Sequence, residues 1–296
     1  MDKSVPFNKF FSHLKFEKNA SENTVSAYTR DLNSFFDFLA FSGLDVLKAK
    51  DSDIERFKLY LKNDGRAVSS VSRALSSVRT FYTYLKKIGE VDVNPAKSVH
   101  NDRSVGKEFE ILTSDEIDCL IAQPMGNDEK SLRDKAILEF LYATGMKVSE
   151  LISLSVYDYN ETMSYIRCKG SKKNERFIPL YPRAKKLLDR YIRDSRRYLV
   201  NDASENALFV NINGEAMTRQ GICKIIKGYA EKAGIKKDIT PKALRHSFAA
   251  HLLENGADVS QLQGVLGHAD VSTTNIYVDY LKRKTAGSLI ALHPHS

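Results

Sequence analysis

Apolar residues recur three and four apart in four separate stretches before residue 90, and that period suits only amphipathic helices packed on a common core. Phe7, Phe10, Phe11 and Leu14 make the first stripe. Val25, Tyr28, Leu32, Phe35, Phe36 and Leu39 make the second, behind the cap candidates Ser21 and Thr24. Ile54, Phe57, Tyr60 and Leu61 form a third, closed by Gly65, and Val71, Leu75, Val78, Phe81, Tyr82 and Leu85 form a fourth. These side chains are mainly core, and no chemistry is assigned to them. Arg73, Arg79, Lys86 and Lys87 lie between the stripes, where they either follow a phosphate backbone or meet solvent. Residues 1–95 are therefore expected to form an all-helical domain.

Residues 96–110 change character. Pro95 and the run that follows it, rich in charge and containing Gly106, read as a linker. A second domain, residues 111–296, opens on the capping box Thr113-Ser114-Asp115-Glu116 ahead of Ile117, Leu120 and Ile121. The helix through Ala136, Ile137, Phe140 and Leu141 stops at Gly145, a candidate left-handed cap. Ser164–Cys168 and Arg176–Leu180 read as two short strands around a Lys/Gly/Ser/Asn turn, a β-hairpin. Everything after Pro182 is helical in pattern. The fold class is mainly α, a helical domain joined to an α+β domain with one small hairpin.

Composition narrows the partners. The chain has 296 residues, enough for two cores, and a formal net charge of +8, which favours a polyanion through phosphate neutralisation. Cys119, Cys168 and Cys223 are odd in number and lack Cys-x-x-Cys spacing, so they read as free thiols rather than a disulfide frame or zinc site. No signal-peptide h-region and no run of membrane-spanning length occurs, so a cytoplasmic protein is expected, without membrane partners.

The last fifty-odd residues hold most of the chemistry. Lys242 and Arg245 stand three apart behind Thr240-Pro241, on one face at the start of a helix, where backbone amides add partial positive charge. Arg245 can hold two phosphate oxygens at once. His268 follows Leu266-Gly267 at a helix end, and Tyr277 closes Thr273-Thr274-Asn275-Ile276-Tyr277. Taken singly, each has an ordinary alternative: a salt-bridging helix face, a histidine on a helix dipole, a structural tyrosine. Two cations, an imidazole and a phenol in this order suit a site that grips a phosphodiester and attacks it with a phenolate.

With Ala143-Thr144-Gly145-Met146-Lys147-Val148-Ser149-Glu150-Leu151 upstream, the ordered set resembles the tyrosine recombinases of the phage integrase family, and among them the bacterial Xer-like members. The resemblance spans the second domain and, more weakly, the first. It implies a SAM-like helical DNA clamp and a catalytic domain acting on double-stranded DNA that carries a specific recombination site, in a nucleoid-associated protein that needs no metal or cofactor. Tyr277 would attack the scissile phosphate to give a 3′-phosphotyrosine and a free 5′-hydroxyl. Arg245, Lys242 and His268 would hold the phosphate or move protons, and a hairpin lysine would protonate the leaving oxygen. Counting from Lys147 puts Ser171 at the lysine position, flanked by Lys169, Lys172 and Lys173; Lys172 is favoured, then Lys169. The family also implies a tetrameric synapse, with an accessory or partner recombinase as a further option. The apolar Ala286, Leu289, Ile290 and Leu292 within about 281–292 are expected to dock in a neighbouring protomer.

Lys147 stands where the family has arginine, and three accounts compete: an engineered substitution, a slow recombinase, or a homologue kept for binding. Beside strand exchange stand two alternatives, a DNA-binding recombinase-like subunit without cleavage and relaxation of supercoils by the same phosphotyrosine chemistry.

Overall fold

The computed structural model describes residues 4–101, 109–170, 175–202, 205–268, 270 and 272–291. The chain divides into two compact units, Met1–Lys107 and Glu108–Ser296. In the first, helices α1 (Ser4–Ser12), α2 (Glu22–Phe41), α3 (Asp51–Asn63) and α4 (Val68–Lys87) bury most of the four stripes against one another, with Tyr60 left exposed. Ser21 caps α2 by accepting the Thr24 N–H. Phe10, Phe35, Phe57, Phe81 and Tyr82 have no more than 1% of their surface exposed, and their rings meet largely edge to face.

Two of the cations between the stripes are committed inside this unit. Arg73 forms a two-point pair with buried Asp31, which also accepts from Ser77. Arg79 donates to the carbonyls of Ala96 and Val99. Ala96 and Val99, in the segment that composition marks as linker, are buried in this core, so chain past residue 95 packs with the first unit.

The second unit begins with α5 (Ser114–Ala122), capped by the Thr113/Glu116 box, and α6 (Glu129–Thr144), which ends on Gly145 at φ +56°. A short helix α7 (Val148–Leu151) follows, then β1 (Tyr159–Asn160), β2 (Tyr165–Lys169) and β3 (Glu175–Pro179) in one antiparallel sheet of order β1-β2-β3. The hairpin is as read from the sequence, with β1 added beside it. Its register pairs Ile166 with Ile178 and Cys168 with Arg176, so these four share the inward face, while Arg167 and Lys169 alternate outward.

Helices α8 (Pro182–Tyr191), α9 (Arg197–Leu199), α10 (Arg219–Lys232), α11 (Pro241–Glu254), α12 (Val259–Leu266) and α13 (Ser272–Ala291) complete the unit. Between α9 and α10 the all-helical expectation fails. Residues 205–218 run irregularly, with bridges Ser155 to Ala207 and Val210 to Ala216. Leu208, Phe209 and Val210 are buried there, and Asn211-Ile212-Asn213-Gly214 turns the chain with Gly214 at φ +82°. Short apolar runs flanked by Asn and Gly favour this turn over a helix.

Candidate active site

Five of the residues singled out from the sequence converge on one cavity of about 950 Å3 in the second unit: Lys147, Lys242, Arg245, His268 and Tyr277. Each arrives by a local rule. Lys147 is the N-cap of α7, its N–H donating to Glu150 Oε2 at 2.9 Å. Lys242 and Arg245 come from the first turns of α11, opened by the Thr240 cap and Pro241. His268 follows Gly267, whose φ of +64° ends α12. Tyr277 lies on α13 and packs with Ala249, Leu262 and Leu266 in a small core of α11, α12 and α13.

Arg245 is buried, and three of its five N–H groups are spoken for. Nη1 donates to the Gly145 carbonyl at 2.7 Å; Nη2 reaches the Leu266 carbonyl at 2.9 Å and His268 Nε2 at 2.8 Å. The remaining two suit phosphate oxygens. Because the guanidinium has only hydrogens to offer, His268 Nε2 accepts, and Nδ1 carries the proton that goes to Thr274 Oγ1 at 2.9 Å. His268 is therefore neutral. Burial, with the charges of Arg245, Lys147 and Arg176 around it, lowers its pKa to about 4.

Gly145 is doubly constrained. Its φ is left-handed, and a Cβ there would meet the Phe248 ring at 2.2 Å. Gly145→Ala should cost about 2 kcal/mol or more and slacken the carbonyl that holds Arg245; a denaturation midpoint equal to that of the unsubstituted chain would refute this.

Beneath the cations lies a network that the sequence reading passed over. Arg176, turned inward opposite Cys168, donates to Glu150 at 2.9 and 3.2 Å and to the Val265 carbonyl at 2.6 Å. Lys147 Nζ stands 4.0 Å from Glu150 Oε1. Burial alone would raise the Glu150 pKa, but Arg176 and the Lys147 N–H outweigh it and leave it lowered. This carboxylate ties the hairpin to the α7 turn, and Arg176 ties both to the end of α12. The signals were present, since Glu150 stands three residues after Lys147 in the quoted motif and is its capping partner.

Lys169 goes elsewhere. Its outward position beside Arg167 brings it to Asp158, 3.1 Å away, and it does not line the cavity, although its neighbour Gly170 does. Lys172, with Ser171 and Lys173, lies outside the described residues, as do Leu292, Gly106 and the side chains of Ala286, Leu289 and Ile290.

Tyr277 is 1% exposed, less accessible than a nucleophile in wait. Its hydroxyl lies 2.8 Å from Nδ1 of His246, the residue next to Arg245. Burial raises the phenol's pKa, and the charge of Arg245 offsets part of that rise. Burial also lowers the His246 pKa to about 4, helped by Lys242, Arg245 and His268. Both histidines are thus harder to protonate folded than unfolded. Stability is complete above pH 6.5 and is lost as pH falls towards 4. A shift of this size corresponds to about 3 kcal/mol for buried His246 and to less for His268, which solvent partly screens. Calorimetry at pH 5 in buffers of different ionisation enthalpy should find roughly one proton taken up on unfolding for each of the two; no uptake would contradict the arrangement.

A helical unit followed by a small-sheet unit holding this cationic cavity fits a protein that handles phosphodiesters, and comparison with known proteins supplies the family. Residues 7–89 match the phage integrase N-terminal SAM-like domain and residues 110–284 the phage integrase family. The tyrosine recombinase XerD of Oceanobacillus iheyensis is 41% identical over 97% of both chains, and that of Halalkalibacterium halodurans 37% identical over 97% of both. The chain belongs to the phage integrase family, the tyrosine recombinases. Its fold matches the crystal structure of the XerH site-specific recombinase bound to palindromic difH substrate, a post-cleavage complex, with a TM-score of 0.77 over 92% of this chain and 80% of that one, at 20% identity.

Proposed function

We propose that the chain is a site-specific DNA recombinase that cuts and rejoins double-stranded DNA through a 3′-phosphotyrosine at Tyr277. The observation that carries the reading is the convergence of Lys147, Lys242, Arg245, His268 and Tyr277 on one cavity of about 950 Å3. Family membership and relatives named tyrosine recombinase XerD support the same reaction class.

In this mechanism the scissile phosphate accepts from an open N–H of Arg245 and is flanked by Lys147 and Lys242. Tyr277 Oη attacks phosphorus and the 5′-oxygen leaves, protonated by Lys172 in preference to Lys169, which Asp158 holds. Charge builds on the non-bridging oxygens, where preset cations act most strongly. The phosphotyrosine conserves the bond energy, so a second 5′-hydroxyl can reverse the step without ATP. His268, neutral and fixed by Thr274, keeps the Arg245 guanidinium in plane. Assembly is proposed as a cytoplasmic, nucleoid-associated tetramer on the recombination site, with α13 exchanged between protomers and a partner recombinase as an option. The first unit, which runs past residue 95 to include Ala96 and Val99, would serve as the clamp and the second as the catalytic domain.

The test is trapping on a nicked duplex whose sequence is recovered from a randomised pool by binding to the chain. Loss of the nicked fragment prevents religation, so a covalent band should accumulate, and peptide mapping should place the DNA on residue 277. A tight complex that yields no covalent band even after prolonged incubation would favour the second reading, a recombinase-like DNA-binding subunit. Lys147, a lysine at the arginine position, is the observation that motivates it.

A further inference from the structure

We infer that His246 is the base that takes the proton from Tyr277 as the phenol attacks, an assignment that rests on the strand-transfer reading above and adds a catalytic residue to it. The His246 Nδ1 to Tyr277 Oη distance is 2.8 Å, and both side chains are more than nine-tenths buried. The Phe109 ring covers the pair, its centroid 4.7 Å from the imidazole and 6.1 Å from the phenol.

Hydrogen-bond accounting sets the direction of the contact. His246 Nε2 is buried and has no partner among the described residues. Were Nδ1 the donor, the Tyr277 hydrogen would be left without an acceptor as well, making two orphans. With the phenol donating to Nδ1, one remains, the Nε2–H. An unmet buried polar group costs on the order of 1–3 kcal/mol, so the second arrangement wins. It already places the phenolic proton on the lone pair that would receive it.

The other basic groups around the cavity are unsuited to this task. Lysine at 242 is a donor without a lone pair in its charged form. His268 has Nε2 occupied by Arg245 and Nδ1 by Thr274. The charged and titratable groups facing His246 are Lys242 and Arg245 on its own helix, His268 at the end of α12 and Tyr277 on α13. The positive charges of Lys242 and Arg245, together with burial, keep the imidazole neutral and its lone pair free at physiological pH. A bound phosphodiester supplies the opposing negative charge, so the imidazolium becomes affordable only when substrate is present.

The step balances without a further reagent. The Oη–H bond breaks as Nδ1–H forms, Oη bonds to phosphorus, and the P–O5′ bond breaks with its electron pair on O5′, which takes a proton from the hairpin lysine. On religation His246 returns its proton to the departing phenolate.

His246→Asn puts an amide oxygen near the place of Nδ1, so the hydrogen bond survives while proton uptake does not. On the nicked duplex described above, its single-turnover cleavage at pH 7 should be about 100-fold slower, with duplex affinity unchanged. From pH 7 to 9 its rate should climb about tenfold per unit, as solvent produces the phenolate, while the unsubstituted chain stays nearly level. The deficit should persist when sulfur replaces the bridging 5′-oxygen, because that substitution relieves only the need for an acid. Should His246→Asn bind poorly, His246→Ala is assayed with imidazole added to the buffer, which should restore cleavage. A His246→Asn rate within threefold of the unsubstituted chain, parallel pH profiles, or no imidazole response overturns the assignment alone. Absence of any covalent complex from the unsubstituted chain overturns the strand-transfer reading and this assignment with it.

Discussion

Lys147→Arg should raise single-turnover cleavage of a nicked duplex by roughly 30- to 1000-fold while changing duplex affinity little. The range follows from one oxyanion donor being worth about 2–4 kcal/mol in the transition state. Lys147 is half exposed at the cavity, with its ammonium 4.0 Å from Glu150 Oε1. A lysine there supplies charge from a flexible stem. An arginine would add a planar fork, and Glu150, already held by Arg176 and by the Lys147 N–H, is placed to orient it. Its second face would then meet the phosphate, so the gain belongs mainly to kcat. If Lys147→Arg leaves the rate where it was, the site makes no use of a two-point donor at this position, and the DNA-binding reading gains.

Much of this fold was legible because local rules and tertiary packing agree. The four stripes became four helices, and Ser21, the Thr113/Glu116 box and Gly145 stand where caps belong. Lys242 and Arg245 point into the same cavity because residues three apart share a helix face. The failures have physical causes as well. Strand β1 has two residues, too few for a periodic signal. The segment 205–218 forms a buried turn whose Leu208, Phe209 and Val210 carry no period that separates strand from helix. Ala96 and Val99 look like linker by composition, yet Arg79 fastens their carbonyls from α4, a contact invisible in one dimension. Lys169 was expected at the site by sequence position. The pleat sends it outward to Asp158 and turns Arg176 inward instead.

The His246–Tyr277 contact was equally hidden. His246 is adjacent to Arg245, but a histidine on a helix buried nearly all round reads as core. Its partner lies 31 residues further on, past α12 and the Gly267 turn. Only the packing of α11, α12 and α13 about Leu262 and Leu266 brings the two together. The same packing explains why the phenol is concealed: the small core that positions Tyr277 also encloses it. On the proposed mechanism DNA binding must uncover the hydroxyl, and the ring beside it on the cavity side is Phe109, where the second unit begins.

Tyr277→Phe should abolish the covalent protein–DNA complex outright, with no residual band and with affinity for the duplex retained. The complete loss expected here differs in kind from the graded effect at 147, because phenylalanine keeps the ring in its small core and deletes only the atom that bonds to phosphorus. No second phenol lines the cavity among the described residues, and Tyr280, one turn along α13, is not part of its wall. A band that persists in Tyr277→Phe would therefore move the nucleophile, with Tyr280→Phe as the next variant to make. Stability offers an independent check. Removing the hydroxyl leaves His246 without its hydrogen-bond partner, a buried imidazole with both nitrogens unmet, and that should cost about 1–3 kcal/mol. A variant that loses cleavage but melts like the unsubstituted chain would separate the chemistry from the contact, and would mean that the phenol rests elsewhere when DNA is absent.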